Sequence, residues 1–302
     1  NQESGNRLKH QQISFAVEST RQEAEIHRLR HVELKGAYDE IEEKNREITA
    51  SITYALRIQQ ALLPRLDSIQ KALPQSFIFF KPKDIVSGDF YWFSERNNAG
   101  SPQIFLAAAD CTGHGVPGGF MSMLGTEKLN EAWNQCNDVS EILTCLNKGI
   151  RKALGQSGGE GETRDGMDIA LISLKAGSEG NTHLEYAAAN RPLWLIRKGC
   201  QEVIETKATK AAIGGYTPDD QVFEKHELVL KPGDVVYMFS DGYADQFNAA
   251  GKKFMSRKFK EILLAIAKES PEKQKEVLAS THGDWMRGAE QTDDVLVIGI
   301  LA

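Results

Sequence analysis

The sequence predicts an α+β protein: an α-β-β-α sandwich of two antiparallel sheets flanked by helices, preceded by a long N-terminal coiled-coil helix. Three observations predict it. Apolar runs of strand length recur from residue 77 onward, joined by short Gly, Asn, Ser and Pro turns that favour antiparallel pairing. The elements come in the order strands, two helices, strands, two helices, strand. Two sheets stacked face to face, with a helical layer outside each, accommodate that order. Ahead of them, residues 1–63 contain no Pro and only two Gly, and are rich in Glu, Gln, Arg and Lys.

The leading segment reads as a helix with a heptad seam. Tyr38, Asn45, Ile52 and Gln59 fall at a, and Leu34, Ile41, Ile48, Ala55 and Leu62 at d. Upstream the seam decays onto His27 and His31, and Ile26 and Leu29 mark a shifted register. An Asn at an a position favours a parallel, in-register dimer. Residues 1–63 are therefore expected to form a coiled-coil linker and homodimerisation segment, and residues 64–302 a second domain. A single amphipathic helix packed on its own domain fits the same spacing. Pro64 stops the helix.

A short helical piece follows at 66–73. Residues 77–80, 90–94 and 103–109 read as strands, with Asn97-Asn98-Ala99-Gly100 as a turn. Helices are expected at 119–136 and 140–154, the second with Ile142, Leu143, Leu146 and Ile150 on one face. Residues 155–166 form a polar, Gly-rich loop. Strands return at 168–174, 183–189, 193–197, 202–205, 221–230 and 235–240. Helices at 256–268 and 271–286 precede a last strand at 295–301.

The net charge of −6 argues against nucleic acid as a partner. Cys111, Cys136, Cys145 and Cys200 lack C-x-x-C spacing, which suits a reducing, cytoplasmic compartment with no disulfide framework or zinc site. No apolar run reaches membrane-spanning length, so no direct membrane insertion is expected. The chain begins at Asn1 inside a polar helical pattern, which predicts a fragment, such as the cytosolic part of a larger sensor protein.

The chemistry concentrates at strand ends. The run 104–109 ends on Asp110, followed by Gly113, His114, Gly115, Gly118 and Gly119. A carboxylate at the end of a buried strand is costly to desolvate unless a cation or a hydrogen-bond partner meets it. A capped turn and a ligand site both fit this segment. Three more stretches resemble it: Ser87-Gly88-Asp89, Phe239-Ser240-Asp241-Gly242, and Thr292-Asp293-Asp294 running into Val295. One such Asp is usually a turn former. Four at sheet edges predict convergence on one acidic cluster, and clustered carboxylates repel unless a cation neutralises them. Oxygen-only ligands select Mg2+ or Mn2+ over zinc.

The set S-G-D-F-Y, D-C-T-G-H-G-V-P-G-G, F-S-D-G and T-D-D-V-L-V-I, in this order, resembles the SpoIIE-type branch of the bacterial metal-dependent protein phosphatases, the PPM or protein phosphatase 2C-like family. Arg57-Ile58-Gln59-Gln60-Ala61-Leu62-Leu63-Pro64 looks like the helix that leads into that domain. The resemblance implies a serine/threonine phosphatase with two divalent metals, Mn2+ or Mg2+, sharing a water, and a phosphorylated regulatory protein, such as an anti-anti-sigma-like domain, as substrate. It implies that Asp89 and Asp110 bind the metal pair and carry the catalysis, helped by the backbone carbonyl of Cys111. Asp241 and Asp293 would hold one metal from the other side. Asp294 matches a position that is less often a ligand. Asp168 falls near where relatives can hold a third metal, although a turn residue before a strand fits as well. His114 is a candidate proton donor to the leaving oxygen, or a loop histidine bonded to backbone.

Two positions depart from the family's pattern. Trp92 stands where a second acid is common, and Asn190-Arg191-Pro192 stands in a G-H-N-P-P-like element, where Arg191 either contacts phosphate or, the preferred reading, sits at the surface. Rival readings are a dimeric sensor kinase, on His10, His27 and His31, and a non-catalytic coiled-coil module with a degenerate phosphatase fold. Cys145 and Arg151 share the C-x5-R spacing of cysteine phosphatases, but they lie inside an amphipathic helix whose amides are already bonded.

Overall fold

The structure, a computed structural model, describes residues 2–98, 101–157, 159 and 163–302. The chain divides into two compact units, Asn1–Tyr54 and Ala55–Ala302. The first unit is the greater part of helix α1 (Gln2–Leu62). Leu34, Tyr38, Ile41 and Ile48 are each more than half exposed along it. A lone helix has nothing of its own to bury such a stripe against.

The second unit continues with α2 (Leu66–Ala72), β1 (Ser76–Lys81), β2 (Asp89–Asn98), β3 (Ser101–Cys111), α3 (Gly115–Gln135), α4 (Val139–Ala153) and β4 (Gly166–Ala176). Then come β5 (Thr182–Ala189), β6 (Leu193–Ile196), β7 (Ile204–Thr206), β8 (Ile213–Gly214), β9 (Lys225–Leu230) and β10 (Val235–Phe239). The chain closes with α5 (Gly242–Asp245), α6 (Ser256–Ile266), α7 (Pro271–Met286) and β11 (Val295–Leu301). Sheet A runs β1-β11-β10-β6-β7. Sheet B runs β2-β3-β4-β5-β9, with β8 beside β4. Every pairing between these strands is antiparallel.

Both faces of both sheets are apolar, and that dictates four layers. In sheet B, Tyr91, Leu106, Ala108, Ala170 and Ile172 face Ile78, Val236, Met238, Leu296 and Ile298 of sheet A. Their alternate neighbours Phe90, Phe105, Ala107, Ile169 and Leu171 face α3 and α4. On sheet A, Phe77, Phe79, Tyr237, Val295 and Val297 face α6 and α7. The period of two thus splits each strand between a shared central core and a helical flank. Ile142, Leu143, Leu146 and Ile150 of α4 are fully buried, as their spacing predicts. Each such side chain contributes about 1.5–3 kcal/mol of burial. The Asp138 carboxylate caps α4 by accepting the Ser140 N–H at 2.8 Å, worth about 1 kcal/mol.

Some expectations change. Cys136, at the end of α3, and Cys145 of α4 come together with their sulfurs in contact, while Cys111 and Cys200 stand away from them. Scattered spacing said nothing about the corner that brings those two helices together. The two-residue β8 and the single turn of α5 had no periodic signal to announce them. The turn at 97–100 lies partly outside the described residues, as does part of the 155–166 loop. Among the described residues no helix is long and apolar enough to cross a membrane.

Candidate active site

Strand register assembles half of the site. Asp89 of β2 lies opposite Asp110 of β3, and Asp110 lies opposite Asp168 of β4. All three follow the phase of Tyr91, Leu106, Ala108 and Ala170, so they share the face turned toward sheet A. The central core therefore ends on a row of three carboxylates. Asp168 is a strand residue within that row rather than a turn residue ahead of it. Like charges directly opposite one another on a sheet destabilise it, so the row needs compensation.

Sheet A supplies the other half. β10 and β11 are antiparallel neighbours, so Asp241, two residues after β10, and Asp293 and Asp294, just before β11, come to the same end. Ser240 ties the sheets together: its hydroxyl donates to Asp89 Oδ2 at 2.5 Å and accepts the Leu296 N–H at 2.9 Å. Asp294 is buried and structural, its oxygens accepting the backbone N–H groups of Lys83 and Gly88, each at 2.7 Å. Asp293 accepts the Asp294 N–H at 2.8 Å.

A cation stands between the sheets, and it is Arg191. Its Nη2 lies 2.8 Å from Asp110 Oδ2, 2.8 Å from Asp241 Oδ2 and 3.1 Å from Asp168 Oδ2. The surface position expected for this residue is wrong. The bend after β5, with Asn190 at φ 59°, turns Arg191 inward. Asn190 donates to Asp168 Oδ1 at 2.8 Å, and Tyr186 Oη holds the Arg191 carbonyl at 2.6 Å. Arg191 Nε is buried with no acceptor. Among the described residues, no three His, Cys, Asp or Glu side chains are already gathered as a coordination shell. The carboxylates converge on the guanidinium.

The electrostatics follow from burial. Asp89, only 3% exposed, has its pKa pushed well above the carboxylate range, first by desolvation and then by the charge of Asp110. Ser240 opposes that rise by its hydrogen bond. Burial raises Asp110 to about 7. Arg191 pulls it down, while Asp241, Asp168 and Asp293 add to the rise. Asp168 and Asp293 are also raised, again chiefly by burial. Burial works against the charge on Arg191, but Asp110, Asp241 and Asp168 outweigh it and hold the guanidinium above its ordinary pKa. A guanidinium at +1 leaves the acidic edge under-neutralised.

The sequence model of Stage II sporulation protein E (SpoIIE) matches residues 100–301. The chain belongs to the SpoIIE family. Among solved structures, the SiaA-PP2C domain of Pseudomonas aeruginosa is 30% identical, at a TM-score of 0.73, over 85% of this chain and 98% of that one. The PP2C phosphatase domain of SpoIIE from Bacillus subtilis, with a fragment of its regulatory domain, is 18% identical, at a TM-score of 0.58, over 75% of this chain and 62% of that one. The RsbU and RsbW domains of a Mycobacterium tuberculosis protein are 20% identical, at a TM-score of 0.55, over 76% and 60%. The last two share the fold. No match was found among curated protein sequences. This SpoIIE-family chain is a PP2C-type serine/threonine phosphatase domain with its preceding helix.

Within the SpoIIE-type domain the structure brings Asp89, Asp110, Asp241 and Asp293 to one edge and adds Asp168 and Arg191. The Cys111 side chain points to the helical side, where burial raises its thiol pKa, so only its backbone borders the cluster. His114 stands apart from those carboxylates: Nδ1 is 2.7 Å from Asp84 Oδ2 and Nε2 is 3.0 Å from Lys83 Nζ. The glycines after Asp110 serve two ends: Gly113 and Gly115 take positive φ, and Gly118 and Gly119 admit close neighbours. Helix α3 already begins at Gly115, and a Cβ on Gly118 would collide with the Gly113 carbonyl and the Gly88 backbone. Three backbones cross there, which fixes the segment entering Asp89. Trp92 fills the core toward α3, its Nε1 donating to Asn130 at 2.7 Å, so no acid can stand there without being buried on the wrong face. Gln59 is the residue that sequence reasoning placed elsewhere. It read as a seam position but is buried, accepting the Ser87 N–H at 3.2 Å and donating to the Ser87 carbonyl at 2.7 Å and to Ser122 Oγ at 2.8 Å. Its polar side chain at a seam position was the signal available, and Asn45 at another a position carried the same one.

Proposed function

We propose that this protein hydrolyses phosphoserine and phosphothreonine on a regulatory protein, with two divalent cations, Mn2+ or Mg2+, held at the acidic edge. The observation that carries the reading is the meeting of acids from two sheets at one edge: Asp110, Asp168 and Asp241 share the Arg191 guanidinium, with Asp89 opposite Asp110 in the strand register and Asp293 beside the start of β11. The donor set fits such ions: it is all oxygen, it is partly buried, and it holds more negative charge than Arg191 can offset. Asp89 and Asp110, with the Cys111 carbonyl, would hold the pair; Asp241 and Asp293 would close one site from sheet A, and Asp168 would serve a third ion. When bound there, divalent cations supply an acidified water and neutralise the charge of the phosphoryl group in transfer.

The chain's own residues position and protonate. The unpartnered Arg191 Nε–H is a donor for a phosphate oxygen. His114, its ring held between Asp84 and Lys83, is the candidate source of the proton for the departing serine or threonine oxygen. The exposed stripe of α1, with Asn45 in its seam, supports a parallel homodimer. Gln59 grips Ser87, two residues before Asp89, so a change in the leading helix has a route to the acidic row. Deleting residues 1–50 without change in activity or metal affinity would sink that coupling.

The decisive assay is Mn2+-dependent release of phosphate from a generic phosphoester by wild type, Asp110→Ala and Asp241→Ala. Activity in wild type alone is expected; equal activity in all three ends the reading. Arg191 itself favours one rival, a non-catalytic coiled-coil module in which the guanidinium permanently replaces the metals. Absence of Mn2+ binding by calorimetry would establish that rival.

A further inference from the structure

A cavity of about 420 Å³ opens from Asp110 and Asp168 to the loop after β8. Its far wall carries Tyr216, 73% exposed, with the Arg164 guanidinium 4.8 Å from the ring centroid. That wall is held by polar side chains buried for the purpose. Fully buried Asn147 of α4 accepts the Gly214 N–H at 2.8 Å and donates to the Pro218 carbonyl at 2.7 Å. Arg151 donates to the Gly215 carbonyl at 2.9 Å and to Asp219 at 2.6 Å. Gln156, just past α4, accepts the Gly215 N–H at 2.9 Å and donates to the carbonyls of Asp165 at 2.7 Å and Thr163 at 3.2 Å. One helix and the turn after it thus pin both the loop of Tyr216 and the segment of Arg164. Arg151, half of the C-x5-R spacing, is a staple of this wall.

The placement serves no packing need. Tyr216 leaves most of a large aromatic in water, where it contributes little burial. Asp110, Asp168 and Arg191, which also line the cavity, are paired with one another. Among the described residues Arg164 has no acidic partner. The cavity therefore joins a phosphate-competent edge to a guanidinium that lies on an aromatic ring and has no acidic partner among the described residues. Guanidinium groups take carboxylates as bidentate ligands, and an exposed aromatic gives an extended chain a rigid surface.

We propose that Arg164 and Tyr216 form the subsite for residues flanking the phosphorylated side chain, and that Arg164 selects a protein segment with an acidic residue beside the phosphoserine or phosphothreonine. This rests on the phosphatase reading above. The test uses the full chain with Mn2+, p-nitrophenyl phosphate, and two phosphoserine peptides of equal length flanked by Glu or by Lys. Wild type is expected to favour the Glu peptide in kcat/KM by about tenfold, and Arg164→Glu to reverse that preference by a similar factor. The gain on the Lys peptide is a change that misfolding cannot produce. Tyr216→Ala is expected to raise KM for both peptides while leaving their ratio in place. Anisotropy of the fluorescein-labelled Glu peptide should show binding weakened by Arg164→Glu. An unchanged ratio in Arg164→Glu, or an equal fall on both peptides, overturns the proposal while the phosphatase reading stands. If wild type hydrolyses none of the three substrates, both fall together.

Discussion

The two sheets bring carboxylates to the same edge by different means. Sheet B offers Asp89, Asp110 and Asp168 from within strands, where register fixes each against the next and the backbone cannot yield. Sheet A offers Asp241, Asp293 and Asp294 from the segments flanking β10 and β11. Among the acids that meet Arg191, exposure follows the sheet: the Asp110 and Asp168 side chains are 20% and 24% exposed and that of Asp241 is 43% exposed, while Asp294 of sheet A is buried and turned to backbone N–H groups. The rigid side bears most of the desolvation, and the looser side can adapt to what lies between them. A cation at this edge is therefore demanded by sheet B and accommodated by sheet A.

The largest effect expected is on Asp110, the centre of the rigid row. Asp110→Asn should lower kcat by about a thousandfold or more, since on the proposed reading a neutral amide would not hold a divalent cation as the carboxylate would. Its metal-free stability supplies a second readout. The Asp110 pKa is raised from 3.8 to about 7, so between those values the folded state holds a proton that the unfolded state has lost. Stability without metal should accordingly fall as pH rises from about 4 to about 7, by up to about 4 kcal/mol. Asp110→Asn should flatten that slope in urea melts with EDTA. A variant with wild-type kcat would break the contrast between the sheets.

Arg191 comes next. Arg191→Met leaves three carboxylates facing one another without their cation, which should cost about 3 kcal/mol in EDTA. Mn2+ should recover more of that loss than it adds to wild type, measured as the larger rise in Tm. An equal rise in both proteins would mean that the guanidinium and the metal do not share the acidic edge.

Asp294 tests sheet A from its structural side. Asp294→Ala strips the acceptors from two backbone N–H groups, one of them on buried Gly88, and should cost about 2 kcal/mol. Asp241→Asn, at a half-exposed position, should change stability by no more than about 0.5 kcal/mol while abolishing activity. Chemical denaturation of both variants separates the anchor from the site residue.

Much of the fold was legible because its signals are local. Pro271 and Ser270 announce α7, and the unbroken run 295–301 is β11 residue for residue. The strand-end acids were legible for the same reason, each being a carboxylate after or before an apolar run. What sequence could not express were contacts between distant segments. Arg191 lies 81 positions from Asp110, and nothing in Asn190-Arg191-Pro192 says that a positive-φ bend aims the side chain inward. The glycine run fitted a capped turn and a ligand site equally because the backbone crossing of Gly88, Gly113 and Gly118 exists only in three dimensions. Gln59 matched a heptad position, and its grip on Ser87 depends on where β2 begins.

The smallest effect expected sharpens the comparison most finely. Ser240 follows β10 of sheet A, yet its hydroxyl donates to Asp89 of sheet B while accepting from Leu296 of β11. It is thus a direct hydrogen bond through which the adaptable side holds the rigid one. Ser240→Ala removes two buried hydrogen bonds, and relaxation of the strand end should hold the net loss to about 1–2 kcal/mol. The same hydrogen bond lowers the Asp89 pKa against the rise caused by burial. Without it, Asp89 should hold its proton more tightly, and a divalent ion would have to displace that proton to bind. The Mn2+ concentration for half-maximal activity should then rise several-fold, with kcat at saturating Mn2+ within about threefold of wild type. If the metal requirement stays fixed while stability falls, Ser240 joins the sheets mechanically and leaves the charge of Asp89 alone.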